Sequence, residues 1–310
     1  MRTRWFAVAA TTALCATLSA PVSAAAPAGT GGGVFPTLRS NLVAYYDFAH
    51  PVAGNPGQER DLGSSDTAIE LVNGGESMRV RDGRRTALRT RQVAPEQAGN
   101  DDWKAGVYAQ DGVGSLAAFN GARQATIMGW FKVTGTHPAP NSNTPDPADT
   151  YNAVGLAGVL TGDSDGHAVR ALLEVIDVNG ELRVVALGRR VDGGSSQTFA
   201  ADAPWEQVLP RGAWVHLAAT FDYDTGEMAL YRNGKPLSGF YSTAGDPWLL
   251  DGAPEPDLAT ASDPRGIKIG GSFPQNSREG NPCDCRMDDL MFLDRALTPR
   301  EIWLQHHWSR

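Results

Sequence analysis

Two Asn-Gly pairs constrain this chain more than any other feature. Asn179-Gly180 separates the β-rich runs 171–177 and 182–187, and Asn233-Gly234 follows the run 228–231. A two-residue type I′ turn needs positive φ at both central positions, which Asn and Gly tolerate best, so each pair predicts a hairpin. The 35 glycines and 20 prolines in 310 residues exceed the roughly 12 % of an average chain, and suit short strands joined by many turns. Further strands are expected at 42–48, 214–221, 267–269 and 287–293, and at 125–133, whose mostly apolar run fits a strand covered on both faces. The clear helix is terminal. Thr298 stands as its cap, Pro299 at its first position and Glu301 at N3, and it continues through Ile302, Trp303 and Leu304.

Residues 1–26 read as a signal peptide. Arg2 and Arg4 supply the positive end, Trp5 to Leu18 the apolar stretch, and Val22-Ser23-Ala24 the small-residue cleavage site. Cys15 falls within it, and Leu14 stands where a lipid-attachment box takes a small residue. Residues 27–40 follow as a linker rich in Ala and Gly, and 41–310 as one domain, expected to be secreted and extracellular. No internal apolar run approaches the roughly 20 residues of a membrane-spanning helix. The formal net charge of −8, with no basic run carrying interleaved aromatics, argues against nucleic acid as a partner. Cys283 and Cys285 remain after the leader. In an oxidising compartment a local disulfide is the expectation, pairing with another chain the alternative, and a second pair for zinc is missing.

Trp214-Val215-His216-Leu217-Ala218-Ala219-Thr220-Phe221-Asp222, then Gly226 and Leu230-Tyr231-Arg232-Asn233-Gly234-Lys235, resembles the core of laminin-G-like domains of the concanavalin A-like lectin/glucanase superfamily. Met287-Asp288-Asp289-Leu290-Met291-Phe292-Leu293 through Glu301-Ile302 is similar to that group's terminal strand and helix. Asn41 to Phe48 and Gly129-Trp130-Phe131 resemble two of its other strands. One departure is Pro282-Cys283-Asp284-Cys285, where the family usually carries a Gly. The resemblance implies an all-β jelly-roll sandwich of two antiparallel sheets with a short C-terminal helix. It also implies a calcium ion, Ca2+, held by Asp288, by the stretch from Asp47 to His50 and by Asp61.

Catalytic signatures are weak. Glu174 and Asp177 stand three apart, so a regular strand turns them to opposite faces, and Glu181 lies beyond the Asn-Gly turn; the carboxylate pair of a sandwich glucanase is not met. A Gly-x-Ser-x-Gly elbow and a His-Glu-x-x-His pair are both missing, and the adjacent His306 and His307 point different ways on a helix. His137, Tyr151 and His167 could serve a lyase, with no spacing that unites them. Asp163-Ser164-Asp165-Gly166 lacks the Gly at position 6 of a helix-flanked calcium loop and reads as a turn.

Sugar binding asks for aromatic faces and a few fixed polar groups. Trp103, Trp205 and Trp248 lie in segments rich in Asp, Pro and Gly. Trp248 and Tyr241 flank the Pro-rich stretch 243–266, which with 134–152 is one of two long irregular segments, a length usually kept for function. These four aromatics are the candidate ligand-binding residues. Trp130 and Trp214 are expected in the core, and Trp303 and Trp308 packed against a sheet. The expected function is non-catalytic binding of a polysaccharide or glycoconjugate, or of an extracellular protein. The alternative is a glycoside hydrolase or polysaccharide lyase on the same fold.

Overall fold

The computed structural model describes residues 33–92, 102–108, 113–135, 153–160, 169–189, 196–242, 266–270 and 282–310, all within one compact unit, Gly31–Arg310. The leader lies outside the described residues, as do the stretches 136–152 and 243–265, and with them His137, Tyr151, His167 and Trp248.

The strands run β1 (Leu42–Tyr46), β2 (Pro51–Val52), β3 (Asn55–Glu59), β4 (Ile69–Val72), β5 (Arg79–Asp82), β6 (Arg85–Arg89), β7 (Lys104–Gly106), β8 (Gln124–Val133) and β9 (Ala153–Leu160). They continue as β10 (Val169–Val178), β11 (Glu181–Arg189), β12 (Ser196–Ala201), β13 (Val215–Asp222), β14 (Met228–Arg232), β15 (Lys235–Pro236), β16 (Gly239–Tyr241), β17 (Gly266–Ile269) and β18 (Cys285–Leu293). An eight-stranded sheet has the order β15-β14-β13-β8-β18-β6-β5, with β1 also on β18; a ten-stranded sheet has the order β16-β12-β11-β10-β9-β17-β7-β4-β3-β2. Among the described residues the pairings between these strands are all antiparallel. The expected sandwich of two antiparallel sheets is what forms.

Both Asn-Gly turns take the required left-handed backbone, with φ of 59° and 83° at Asn179 and Gly180 and of 51° and 77° at Asn233 and Gly234. The first sets Glu174 opposite Val185 and Val178 opposite Glu181. Alternate residues of each strand then enter one core: Ala171, Leu173 and Val175 from β10, Ile127 and Phe131 from β8, Leu217 and Phe221 from β13.

The terminal helix, Pro299–Trp308, forms the capping box read from Thr298 and Glu301. It lies over the outward face of the eight-stranded sheet, where Ile302 joins Tyr45, Met128, Met291 and Leu293. Its docking changes two expectations. The segment assigned as linker is folded from Gly33 onward, because Gln305 bonds both Gly33 O and Phe35 N at 2.7 Å and Leu38 is fully buried. Trp303 and Trp308 do not pack inward; they stay 44 % and 53 % exposed, since Ile302, Gln305 and His306 take the inward face.

His306 stacks near Trp130 and His216, with ring centroids 5.4 Å and 5.6 Å away. Burial, then neighbouring positive charge, drives His216 down to about 3 and His306 to about 4. Both rings are thus neutral spacers between helix and sheet at ordinary pH.

Candidate functional site

In a two-layer sandwich the outward face of a sheet is ordinarily the wet one. The ten-stranded sheet departs from this at its centre. Ala171, Leu173 and Val175 of β10 point into the core, so Leu172, Glu174 and Ile176 point outward. Glu174 is nevertheless fully buried, with Val185 opposite on one side and Gly155 on the other. Among the described residues neither of its carboxylate oxygens has a hydrogen-bond partner. Burial alone lifts its pKa to about 8. At neutral pH it is a carboxylic acid with an O–H to donate.

Lys268 on β17 and Lys104 on β7 share that outward face, because Ile267, Ile269 and Ala105 take the core side. Both lysines are buried. Tyr108 follows on the same side, and Lys268 Nζ sits 4.7 Å from its ring centre. Gly106 lies between Lys268 on one neighbour and Glu70 on the other, so no side chain stands between them. Burial, then repulsion from Lys104, pushes Lys268 well below the ordinary lysine range. Burial, then the charge of Glu70, pushes the Tyr108 phenol up, and its buried hydroxyl has no hydrogen-bond partner among the described residues. Ionisable groups displaced by burial on one face are the usual mark of a functional site. This one offers a neutral acid, a phenol and two lysines in a dry setting. A second carboxylate does not join Glu174 on β10: Asp177 is exposed at the turn, and Glu181 begins the next strand. The nucleophile–acid pair of a retaining glycosidase is therefore not formed there.

The aromatic candidates disperse. Trp205, on the helical turn Trp205–Val208, is only 9 % exposed and belongs to the core, which corrects the expectation of a sugar platform. Tyr241 is 37 % exposed, but its hydroxyl is spent joining the two sheets: it donates to Gly226 O at 3.3 Å and accepts from Met228 N at 2.9 Å. Trp103 is half-buried against the core, with Arg89 Cζ 4.7 Å and Arg91 Cζ 5.9 Å from its ring centre. Trp214 is likewise half-buried rather than core.

The expected calcium ligands each have other partners among the described residues. Asp61 accepts from Tyr45 N at 2.8 Å, Gly63 N at 2.7 Å, Ser65 Oγ at 2.5 Å and Thr67 N at 3.2 Å, which closes the loop after β3. Asp288 and Asp289 both reach Arg85 Nη1, at 2.8 Å and 3.2 Å. A bulge in β18, with Asp289 at φ 51°, brings these neighbours into reach of the same guanidinium. Burial raises both carboxyls, mutual repulsion adds to the rise at Asp288, and Arg85 opposes it. Asp288 is thus already paired with a guanidinium. Asp47 instead meets His50 and Glu59, and Glu59 is already paired with Arg79 at 2.6 Å. Cys283 and Cys285 meet as a disulfide pair, their Cα atoms 5.2 Å apart.

Sequence reasoning missed Lys104, Lys268 and Tyr108. Each lies in a short strand or beside one, and only the order β10-β9-β17-β7 gathers them. A lysine amid apolar residues, as in Ile267-Lys268-Ile269, was the available signal.

The family model Laminin_G_3, described as concanavalin A-like lectin/glucanases superfamily, matches residues 109–303. No curated protein matches the sequence. Among solved structures, the binding domain of botulinum neurotoxin DC in complex with rat synaptotagmin II is similar over 88 % of this chain and 52 % of its own, at 11 % identity and TM-score 0.52. A botulinum neurotoxin type C structure, whose cell entry depends on two ganglioside molecules, is similar over 89 % and 53 %, at 12 % identity and TM-score 0.52. Trypanosoma rangeli sialidase in complex with 2,3-difluoro-KDN is similar over 92 % and 35 %, at 17 % identity and TM-score 0.50. At such identities the likeness concerns the fold, and this chain spans about half the length of the toxin domains.

Proposed function

The chain belongs to the Laminin_G_3 family of the concanavalin A-like lectin/glucanase superfamily, and from that premise we propose that it is a secreted, non-catalytic glycan-binding module. The ligand would meet the outward face of the ten-stranded sheet. The observation that carries this reading is the burial on that face of Glu174 and of Tyr108, the carboxyl oxygens and the phenol hydroxyl each without a partner among the described residues, with Lys104 and Lys268 buried on strands of the same face. A neutral carboxylic acid and a phenol can each donate one hydrogen bond and accept others, which suits sugar hydroxyls. Leaving such groups buried and unpaired costs about 1–3 kcal/mol each, a cost that a bound sugar would offset. The fold's neighbours include a toxin that depends on gangliosides and a sialidase holding a sialic-acid-like sugar, so the fold is compatible with such ligands. Among the described residues no second carboxylate joins Glu174 on β10, which favours binding over glycoside hydrolysis.

The test is binding of the chain to a panel of polysaccharides and glycoconjugates, followed by Glu174→Met and Tyr108→Phe. Each substitution roughly keeps the size and removes the hydrogen-bonding hydroxyl, and should weaken binding about tenfold. Undiminished binding by both variants, or no bound glycan in the panel, would sink the reading.

A further inference from the structure

The outward face of the eight-stranded sheet carries a feature that folding does not require. Lys132 on β8, Arg286 on β18 and Arg89 on β6 are direct register partners, Arg286 lying between the other two. All three point away from the core, because Phe131, Val133, Met287, Cys285 and Leu88 fill the inward positions. Like charges directly opposite one another destabilise a sheet, and here three cations stand in a row. Asp82 alone answers them among the described residues, its Oδ2 taking Lys132 Nζ at 2.8 Å and Arg286 Nη1 at 2.9 Å. Among the described residues Arg89 finds only Ser77 O at 3.4 Å and the Trp103 ring. The Nε atoms of Arg286 and Arg89 are buried without a partner. The row therefore keeps an excess of positive charge on a chain whose net charge is −8.

Tryptophans close both ends. Trp214 lies 5.9 Å from Lys132 Nζ, and Trp103 lies 4.7 Å from Arg89 Cζ. From the strand edge at Trp214 across β8 and β18 to β6 is three strand spacings, about 14 Å, the span of a short oligosaccharide. Guanidinium groups pair well with carboxylate and sulfate oxygens, and tryptophan faces stack on sugar rings.

We propose that the row Lys132–Arg286–Arg89, between Trp214 and Trp103, binds an acidic polysaccharide, one bearing carboxylate or sulfate groups. This site lies on the opposite sheet from Glu174 and does not rest on the glycan reading of that face. A membrane is the poorer fit, because both tryptophans are half-buried and cannot insert among acyl chains. Nucleic acid is disfavoured by the acidity of the rest of the chain.

The experiment compares binding of the full chain to heparin (sulfate and carboxylate), polygalacturonate (carboxylate alone), neutral dextran, and phosphatidylcholine vesicles with and without phosphatidylserine. The expected result is binding to one or both acidic polymers, weakened by salt, with dextran and vesicles left in solution. Arg286→Gln and Arg89→Gln should each weaken it about tenfold, while Tm holds or rises because a like-charge contact is relieved. Arg286→Lys should restore most of the binding, and Lys235→Gln, which removes an exposed charge elsewhere on the sheet, should leave it intact. The proposal is overturned by failure to bind either acidic polymer, by equal binding to dextran, or by vesicle binding that the same variants abolish. A fall in Tm with unchanged binding would make the row structural and overturn it equally.

Discussion

On the outward face of the eight-stranded sheet, the buried carboxylates Asp288 and Asp289 share the guanidinium of Arg85, and Tyr45 Oη donates to Asp289 at 2.5 Å. On the outward face of the ten-stranded sheet, the buried carboxyl of Glu174 has no partner among the described residues. The two faces thus bury the same chemical group under opposite terms. In the first, a counter-charge is built in: Arg85 lies 4.5 Å over Trp130 and also donates to Ser309 O at 2.7 Å, so the ion pairs serve to seat the end of the terminal helix. In the second, the acid bonds to no group among the described residues. A buried group that is compensated belongs to stability, and one left uncompensated is a candidate for function.

The comparison breaks first at Arg85. Replacing it with Met strands two buried acids and frees the Ser309 carbonyl, and should cost about 3–5 kcal/mol, the usual effect of removing one partner from a buried pair. Thermal melts would read this as a large fall in Tm. Adding Asp288→Asn and Asp289→Asn should recover much of the loss. A Tm that barely moves in Arg85→Met would mean that the acids are held without it, and the contrast between the faces would fail.

The second prediction concerns Glu174. Its pKa rises from 4.5 to about 8 on folding, so between those values the folded chain holds a proton that the unfolded chain releases. The contribution is present in full below pH 4.5 and is lost as pH rises through about 8, a change of a few kcal/mol at most. Stability should therefore decline from pH 5 to pH 8.5. Glu174→Met should be flatter over that range and more stable at its upper end, measured by denaturant unfolding at each pH. Parallel slopes for wild type and variant would show that Glu174 is paired after all.

Much of the fold was legible because its signals are local. Asn179-Gly180 and Asn233-Gly234 dictate their own backbone, and Thr298 with Glu301 caps a helix whatever lies nearby. The Trp214 to Lys235 string carries the family. The candidate site was not legible for the complementary reason. Glu174 reads as part of a hairpin, which it is, and its spacing from Asp177 correctly denies a carboxylate pair. Its isolation follows from Val185 and Gly155, one of them brought by a strand whose register no local motif specifies. Trp205 misled because a Pro- and Asp-rich setting says nothing about whether the turn folds inward. Trp303 and Trp308 misled because aromatic residues at a helix end were assigned to packing, whereas Ile302, Gln305 and His306 occupy the inward stripe.

The smallest effect expected is that of calcium, and it sharpens the contrast from the other side. The hard cation implied by the resemblance would need Asp288, Asp61 and Asp47 to turn oxygens toward one point. Asp61 already accepts four bonds, and Arg85 already neutralises Asp288. Chelator should therefore leave Tm unchanged, and added calcium should not raise it. A calcium-dependent rise abolished by Asp288→Asn would mean that the ion displaces Arg85, so that the compensated face is itself a ligand site. A rise abolished instead by Glu59→Gln would place the ion with Asp47 and His50, where Arg79 is the competing charge. Either outcome would show that a built-in counter-charge on this fold can yield to a bound one, and that compensation alone does not mark a buried acid as structural.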